Sequence, residues 1–270
     1  MQGASRRGLA AARQALEAQI GSGSDAGALG DELLAIASVL GSSVPLRRAL
    51  TDPSSESADR TALAGRVFDA KVSDAAQHVV RTAVGQRWSD ERDLGDGLER
   101  LGVEAVLTAA ERAGRLDDVE DELFRFERTI TGDRDLADAL SDRRRDGKDK
   151  AELVGKLLEG RAAPETIRLA RQAAANPRGR AVERELQSYV AIAAELRNRL
   201  AATVTSAVEL TDAERSRLGD ALARVYGRPV HLNTVVDPSI VGGLRVQVGD
   251  EVIDGTIATR LEDARRTMAG

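Results

Sequence analysis

The chain has 270 residues, 42% hydrophobic and 31% charged but only 2% aromatic, with a formal net charge of -5 and a pI near 5.3. That length favours two or three compact units of about 100 residues each, with cores built from Ala, Leu, Val and Ile in close-packed helices or against a small sheet. Arginines interleaved with Asp and Glu form no basic stripe, which argues against nucleic acid as a partner, and the absence of cysteine excludes disulfides, thiolate metal sites and cysteine nucleophiles.

Arg6 and Arg7 precede an apolar stretch interrupted by Arg13, Gln14 and Glu17, so the N-terminal segment reads as an amphipathic helix and not as an export signal. No run approaches the roughly 18 apolar residues of a membrane span, and no direct membrane insertion is expected. Gly21 to Asp25 reads as a flexible connection. Beyond it the sequence repeats itself at an offset of 90 residues: Asp31, Glu32 and Leu33 recur as Asp121, Glu122 and Leu123. Leu46, Ala49, Leu50 and Asp52 match Leu136, Ala139, Leu140 and Asp142; Asp59 matches Asp149; Leu63 and Gly65 match Leu153 and Gly155; Arg81 and Ala83 match Arg171 and Ala173. The register holds without a gap, which marks a duplication. Apolar residues at helical spacing, such as Leu33, Ile36, Ala37 and Leu40, predict short amphipathic helices in both copies. Gly, Ser, Asp and Pro content predicts breaks at Gly41 to Pro45, Asp52 to Asp59, Thr131 to Asp133 and Ser141 to Asp149.

A long helix is expected from Arg180 to Leu200, followed by a strand over Thr203 to Val208. Thr211 and Glu214 form a capping box for a helix ending at Tyr226. Pro229 to Val236 alternates as a second strand. Leu244 to Val248 and Glu251 to Ile253 make a hairpin about a Gly249-Asp250 turn, and a last amphipathic helix runs from Ile257 to Met268. The expected fold is therefore mainly α: two tandem N-terminal helical-bundle units, 1–104 and 105–202, followed by a small α/β C-terminal domain, 203–270.

No chemistry accompanies this architecture. A phosphate loop would need a glycine where Lys150 stands and a hydroxyl where Leu157 stands. His78 and His231 lack metal-ligand spacing, and the acidic cluster Asp117, Asp118, Glu120, Asp121 and Glu122 suits a helix start better than a calcium loop. No Gly-x-Ser-x-Gly elbow follows a strand. No catalytic, cofactor or metal residue is assigned.

One stretch is specific. Val235, Val236, Asp237, Pro238, Ser239, Ile240, Val241, Gly242, Gly243 and Leu244, followed by Gly249 and by Ile253, Asp254 and Gly255, resembles the signature of the delta subunit family of bacterial F-type ATP synthases. That family includes the mitochondrial oligomycin-sensitivity-conferring protein. Thr203 to Ala207, Thr259 to Leu261, Ala105 to Leu123 and Asn176-Pro177-Arg178 are also similar to it, so the resemblance covers roughly 105–270. It implies a non-catalytic stator subunit that links the alpha/beta head to the b-subunit stalk. The implied location is the cytoplasmic face of the plasma membrane, as a peripheral protein. The implied partners are N-terminal segments of the alpha subunits at the helical domain and the b subunit at the C-terminal domain. The candidate stalk contact is Val236, Asp237, Pro238, Ile240, Gly242, Gly243, Leu244, Asp254 and Gly255. The sequence departs from the usual pattern by about 100 extra N-terminal residues, as in actinobacterial forms that vary here, and the extra copy is expected to offer a second helix-binding groove for an additional alpha terminus or the stalk, with a simple spacer as the alternative. Two other readings stay open on the residues alone: a helical-repeat scaffold outside ATP synthase, and an enzyme with its site between the helical and α/β parts.

Overall fold

A computed structural model describes residues 3–142, 144–175, 181–226, 230–237, 240, 242–248 and 251–255. It divides into two compact units, Met1–Ala194 and Glu195–Gly270. The first unit is helical: α1 (Gly3–Gly21), α2 (Ala26–Ser42), α3 (Val44–Thr51), α4 (Ser57–Phe68), α5 (Asp74–Gly85), α6 (Glu91–Arg112), α7 (Leu116–Gly132), α8 (Arg134–Ser141), α9 (Gly147–Leu158), α10 (Pro164–Ala175) and the greater part of α11 (Val182–Leu200). Among the described residues no single helix is long and apolar enough to cross a membrane. The pair α2 and α3 passes that test only together, and it is bent by 107°.

The duplication is complete at the level of elements. Helices α7 to α10 begin and end 90 residues after α2 to α5, while α6 stands in the same relation to α1, and α11 to α6, within two residues. Helix α6 thus follows the first copy and also opens the second. Its Leu94, Leu98, Leu101 and Ala105 join the first copy's core, while Val103, Val106, Leu107 and Ala110 are buried on its other sides. The expected division at 104/105 lies inside this helix.

The repeated residues do the same work twice. Glu32 accepts the backbone amide of Ser73 at 2.9 Å and the Ser73 hydroxyl at 2.6 Å, at the start of α5. Glu122 accepts the Ala163 amide at 2.8 Å and the Thr166 hydroxyl at 2.5 Å, at the start of α10. Each carboxylate satisfies helix-start donors that would otherwise be unpaired. Asp52 and Asp142 each accept an amide two residues on, from Ser54 and Arg144, and turn the chain between helices. Leu33 and Leu123, Leu50 and Leu140, and Ala83 and Ala173 are all core residues. Gly65 and Gly155 leave space for Arg81 and Arg171 respectively to lie alongside. Glu122→Ala should therefore lower stability by about 1–2 kcal/mol, read as a shift of the urea midpoint. A Glu122→Gln variant, which keeps an acceptor, should recover part of it.

The breaks fall where expected, though two are single residues. Ser43 separates α2 from α3, its side chain capping Leu46 while Pro45 occupies the first turn of α3, and Asp133 does the same for α7 and α8. The residues Asn176-Pro177-Arg178 lie outside the described residues.

The second unit carries β1 (Ala201–Ser206), α12 (Asp212–Tyr226), β2 (His231–Val236), β3 (Leu244–Val248) and β4 (Glu251–Asp254) in one sheet of order β2-β1-β3-β4. β1 and β2 run parallel through α12, while β1 with β3 and β3 with β4 are antiparallel. Ala202, Val204, Val246 and Val248 form the buried face with Leu222 of α12. The capping box is realised: Thr211 donates its amide and hydroxyl to Glu214 at 2.9 and 2.7 Å, and receives the Glu214 amide at 3.3 Å. β1 ends at Ser206, two residues earlier than expected, because the Ser206 hydroxyl turns onto the Val208 carbonyl and Val208 leaves the sheet, 70% exposed. The Gly249-Asp250 turn and the helix expected over 257–268 lie outside the described residues.

Candidate functional site

Because β1 lies between β2 and β3, the chain leaving β2 must pass over the end of β1 to enter β3, and the signature residues make that crossing. Val236 pairs with Ser206 on one side of β1 and Leu244 pairs with the same residue on the other. The Asp237 amide donates to the Ser206 carbonyl at 2.9 Å, and Ile240 closes a turn onto the Asp237 carbonyl at 3.1 Å. Gly242 and Gly243 have φ of 136° and 86°, a region that side chains disfavour, so the crossing requires glycine there. The Gly255 amide ends β4 on the Leu244 carbonyl at 2.9 Å, and Asp254 pairs with Arg245 at 3.3 Å. Pro238 lies outside the described residues. The structure thus gathers the described signature residues at one end of the sheet.

The two edge strands, β2 and β4, carry four exposed apolar residues. Val235, Val236, Val252 and Ile253 are each between 43% and 54% exposed. The register places Val235 with Thr205 and Arg245, and Val252 with Gln247 and Thr203, on the face opposite the buried one. Val236 pairs in the row of Ser206 and Ile253 in that of Val246, on the side of the buried face, so the four exposed apolar residues sit on the two edge strands and are divided between the two faces of the sheet.

In the helical unit two concave sites stand out. One, of about 350 Å³, lies between α6 and α11 and is lined by Asp93, Asp96, Glu99, Arg100, Glu185 and Tyr189 among others. Glu99 and Glu185 are buried there, and Glu99 accepts the Tyr189 hydroxyl at 3.2 Å. The other, of about 360 Å³, lies between α7, α8 and the end of α9 and is lined by Phe126, Leu136, Leu157 and Leu158 together with Arg125 and Arg161. Sequence reasoning gave no residue of either a site role, although Glu122, Asp133 and Leu136 appear in it as repeat matches and as a break.

Polar contacts tie the helical unit together, both between the copies and within the second. Arg168 of α10 reaches Asp31 of α2 at 3.2 Å. Burial raises the Asp31 pKa above its ordinary value, with Arg168 pulling in the opposite direction. Gln172 of α10 donates to Ser38 of α2 at 3.3 Å. Arg115, just before α7, grips Glu165 of α10 through two bonds, of 2.6 and 3.3 Å. Burial pushes the Glu165 carboxyl up, but the Arg115 bonds and charge outweigh it and hold its pKa below the ordinary value. A carboxylate whose folded pKa is depressed stabilises the fold above its unfolded pKa and loses that contribution as pH falls through the folded value. Arg115→Gln should therefore melt below the parent at pH 7, with the gap closing as pH falls below the carboxylate range. A gap that stays constant across that range would refute the ion-pair account.

Among the described residues no group of three His, Asp or Glu side chains could hold a metal ion. His78 is exposed on α5, and the acidic cluster occupies the first turns of α7, where Glu122 caps α10 and Asp121 pairs with Arg125.

Comparison with known proteins gives one consistent picture. The profile of the ATP synthase delta (OSCP) subunit family matches residues 103–268. The chain is 50% identical to the ATP synthase subunit delta of Kineococcus radiotolerans, over 99% of this chain and 98% of that one. It is 52% identical to that of Streptomyces avermitilis, over 99% and 98% respectively. It is also 52% identical to that of Streptomyces coelicolor, over 100% and 98%. The profile and these relatives carry the family by themselves; among solved structures, a chain of the Toxoplasma gondii mitochondrial ATP synthase hexamer aligns over 62% of this chain and 95% of its own, at 14% identity and a TM-score of only 0.31.

Proposed function

Because the chain belongs to the ATP synthase delta (OSCP) subunit family, and so to the stator of that enzyme complex, we propose that it works by binding alone, with no catalytic centre of its own. The observation that carries this is the whole-length identity of about half the residues to delta subunits, both helical copies included. A stator must hold against torque, so the useful properties of such a chain are affinity and stiffness. Sharing α6 between the copies supplies the second, since neither copy can turn without moving a helix buried in the other.

In this reading the helical copies, 1–104 and 105–202 with α6 common to both, receive N-terminal segments of the alpha subunits in their interhelical grooves. The C-terminal domain, 203–270, meets the b subunit through Val236 to Gly255 and the adjoining exposed valines. The complex places the chain at the cytoplasmic face of the plasma membrane as a peripheral protein. Retention under load calls for nanomolar affinity, about -12 kcal/mol, and an interface above roughly 1,000 Å², which several weaker contacts can reach together. The extra helical copy serves as a second alpha-binding unit.

The absence of native cysteine allows a direct test. Val252→Cys carrying a benzophenone should cross-link to the b subunit in assembled enzyme, while calorimetric titration with alpha N-terminal peptide should give two sites per chain. Cross-links to alpha alone would remove the stalk assignment, and a single peptide site would remove the role given to the extra copy.

A further inference from the structure

The duplication isolates one surface that its two copies do not share, the turn between α8 and α9. The backbone there follows that of the turn between α3 and α4. Asp52 and Asp142 accept the amides of Ser54 and Arg144 on their carboxylates, each at 2.9 Å, and the amides of Ser55 and Arg145 on their carbonyls, each at 3.3 Å. The acids match too, since Asp52, Glu56 and Asp59 recur as Asp142, Asp146 and Asp149. The cations do not. Arg143, Arg144, Arg145 and Lys148 stand where the first copy has Pro53, Ser54, Ser55 and Ala58, so the second turn adds four positive charges to an unchanged set of carboxylates. Arg143 lies outside the described residues.

In the first copy the Ser54 and Ser55 hydroxyls fold back onto the Asp52 carboxylate, at 2.7 and 3.4 Å. In the second, Arg144, Arg145 and Lys148 are exposed and make no side-chain hydrogen bond or ion pair among the described residues. Arg125, Arg134 and Lys156 of the neighbouring helices, by contrast, are each paired with an acid on their own helix. Asp146 is turned onto the Lys148 amide at 3.1 Å, at the start of α9, where the helix offsets its charge. The clamp of the first turn is missing as well: Lys150, at the position of Arg60, is only 6% exposed and makes no side-chain bond among the described residues, where Arg60 makes five. The second turn is therefore cationic on its outside and free to adjust to what it meets.

We propose that the α8–α9 turn, in the second copy only, is a docking point for an acidic, extended segment of a partner protein, held by Arg144, Arg145 and Lys148. Each guanidinium takes a carboxylate through two parallel bonds, and two of them with an ammonium close by suit a segment whose Asp or Glu side chains recur along a narrow line. Broader polyanions fit less well. Residues 142–150 include no apolar side chain to enter a bilayer, and Asp149 stands exposed beside Lys148, where a flat anionic surface would meet it. They include no aromatic side chain to stack a base. The turn lies outside the interhelical grooves, and the charge difference between the copies holds whichever protein supplies the acids.

Fluorescence polarisation with the full chain tests it, using a labelled peptide of about 10 residues that alternates glutamate with glycine, at about 50 mM salt. The peptide should bind at least about tenfold more tightly than the same peptide with glutamine for glutamate. The triple variant Arg144→Ser, Arg145→Ser and Lys148→Ala, which restores the residues of the first copy, should weaken the acidic peptide about tenfold, with thermal melting to identify any loss of fold. Equal affinity for the two peptides, or unchanged affinity in the variant, overturns the proposal. So does binding to phosphatidylserine vesicles that the variant loses and the acidic peptide fails to displace, since the occupant would then be a membrane. The assembled enzyme gives a second readout, which rests on the stator assignment as the first does not. A carbodiimide, which joins an amine to a carboxylate in contact with it, should link Lys148 to an acidic stretch of another subunit, identified by mass. The chain has only three other lysines, Lys71, Lys150 and Lys156, and Lys156 lies 2.7 Å from Glu152 as an internal standard. A Lys156–Glu152 link without any link from Lys148 to another subunit, in intact enzyme that contains the chain, would overturn the proposal.

Discussion

Replacing Gly30 by valine is expected to destabilise the helical unit by about 3 kcal/mol or more. Helices α2 and α6 meet at Gly30 and Gly102 with almost no side chain between them. A Cβ on Gly30 would lie 2.7 Å from the Val106 side chain, 2.9 Å from the Gly102 carbonyl oxygen and 3.0 Å from the Val106 amide. Two of those three neighbours are backbone, so no rotamer change relieves the clash. The helices must separate, and with them the core that α6 shares between the copies. The gain in helix propensity from losing a glycine, about 1 kcal/mol at most, cannot offset this. Gly132→Ala is the control, because a Cβ there meets nothing within 4 Å. It should change stability by no more than about 0.5 kcal/mol. Urea unfolding followed by circular dichroism separates the two cases.

Arg60→Ala should cost a comparable amount, about 3 kcal/mol. Arg60 is only 6% exposed, and its guanidinium donates to five backbone carbonyls: Asp52 and Ser55 before α4, and Val84, Gly85 and Gln86 at the end of α5. These are the acceptors a helix end leaves unsatisfied, and one planar fork closes both the loop and the helix. Removing it strands several buried oxygens at once. Arg60→Lys should recover little, because a single ammonium cannot span acceptors arranged around a guanidinium plane. Full recovery by lysine would show that charge and not geometry holds this corner.

Much of the architecture was legible in the sequence because the duplication repeats both cores and caps. Leu33 and Leu123 mark buried positions and Asp52 and Asp142 mark turns, so the same reading succeeded twice, whereas Glu32 and Glu122 lie inside α2 and α7 and only the fold shows their bonds to the starts of α5 and α10. Helix α6 was harder. Its apolar residues run round the whole helix, from Leu94, Leu98 and Leu101 on one side to Val103, Val106 and Leu107 on the others. Periodicity shows a helix with one partner, whereas α6 is buried on several sides. β1 begins earlier than expected because Ala201 and Ala202 carry little strand preference of their own, and Ala202 is held by pairing with Leu232 and Val248.

The C-terminal signature was readable as a pattern but not as a shape. Asp237, Gly242 and Gly243 make sense only once the sheet order is known, since that order forces the chain across the end of β1. The exposed valines beside it, Val235 and Val252, could not be told from core residues by composition, because alternation assigns faces without saying which face is covered. The groove between α7, α8 and the end of α9 draws on residues far apart in the sequence. Only the fold shows that Leu136, Leu157 and Phe126 border the same space.

The most direct test of the stator account is affinity purification of the tagged chain from detergent-solubilised membranes of its native cell, with the captured proteins identified by mass. The account predicts recovery of the alpha and b subunits of ATP synthase together with the tagged chain. Recovery of neither, from a preparation in which intact ATP synthase is demonstrably present, would contradict it.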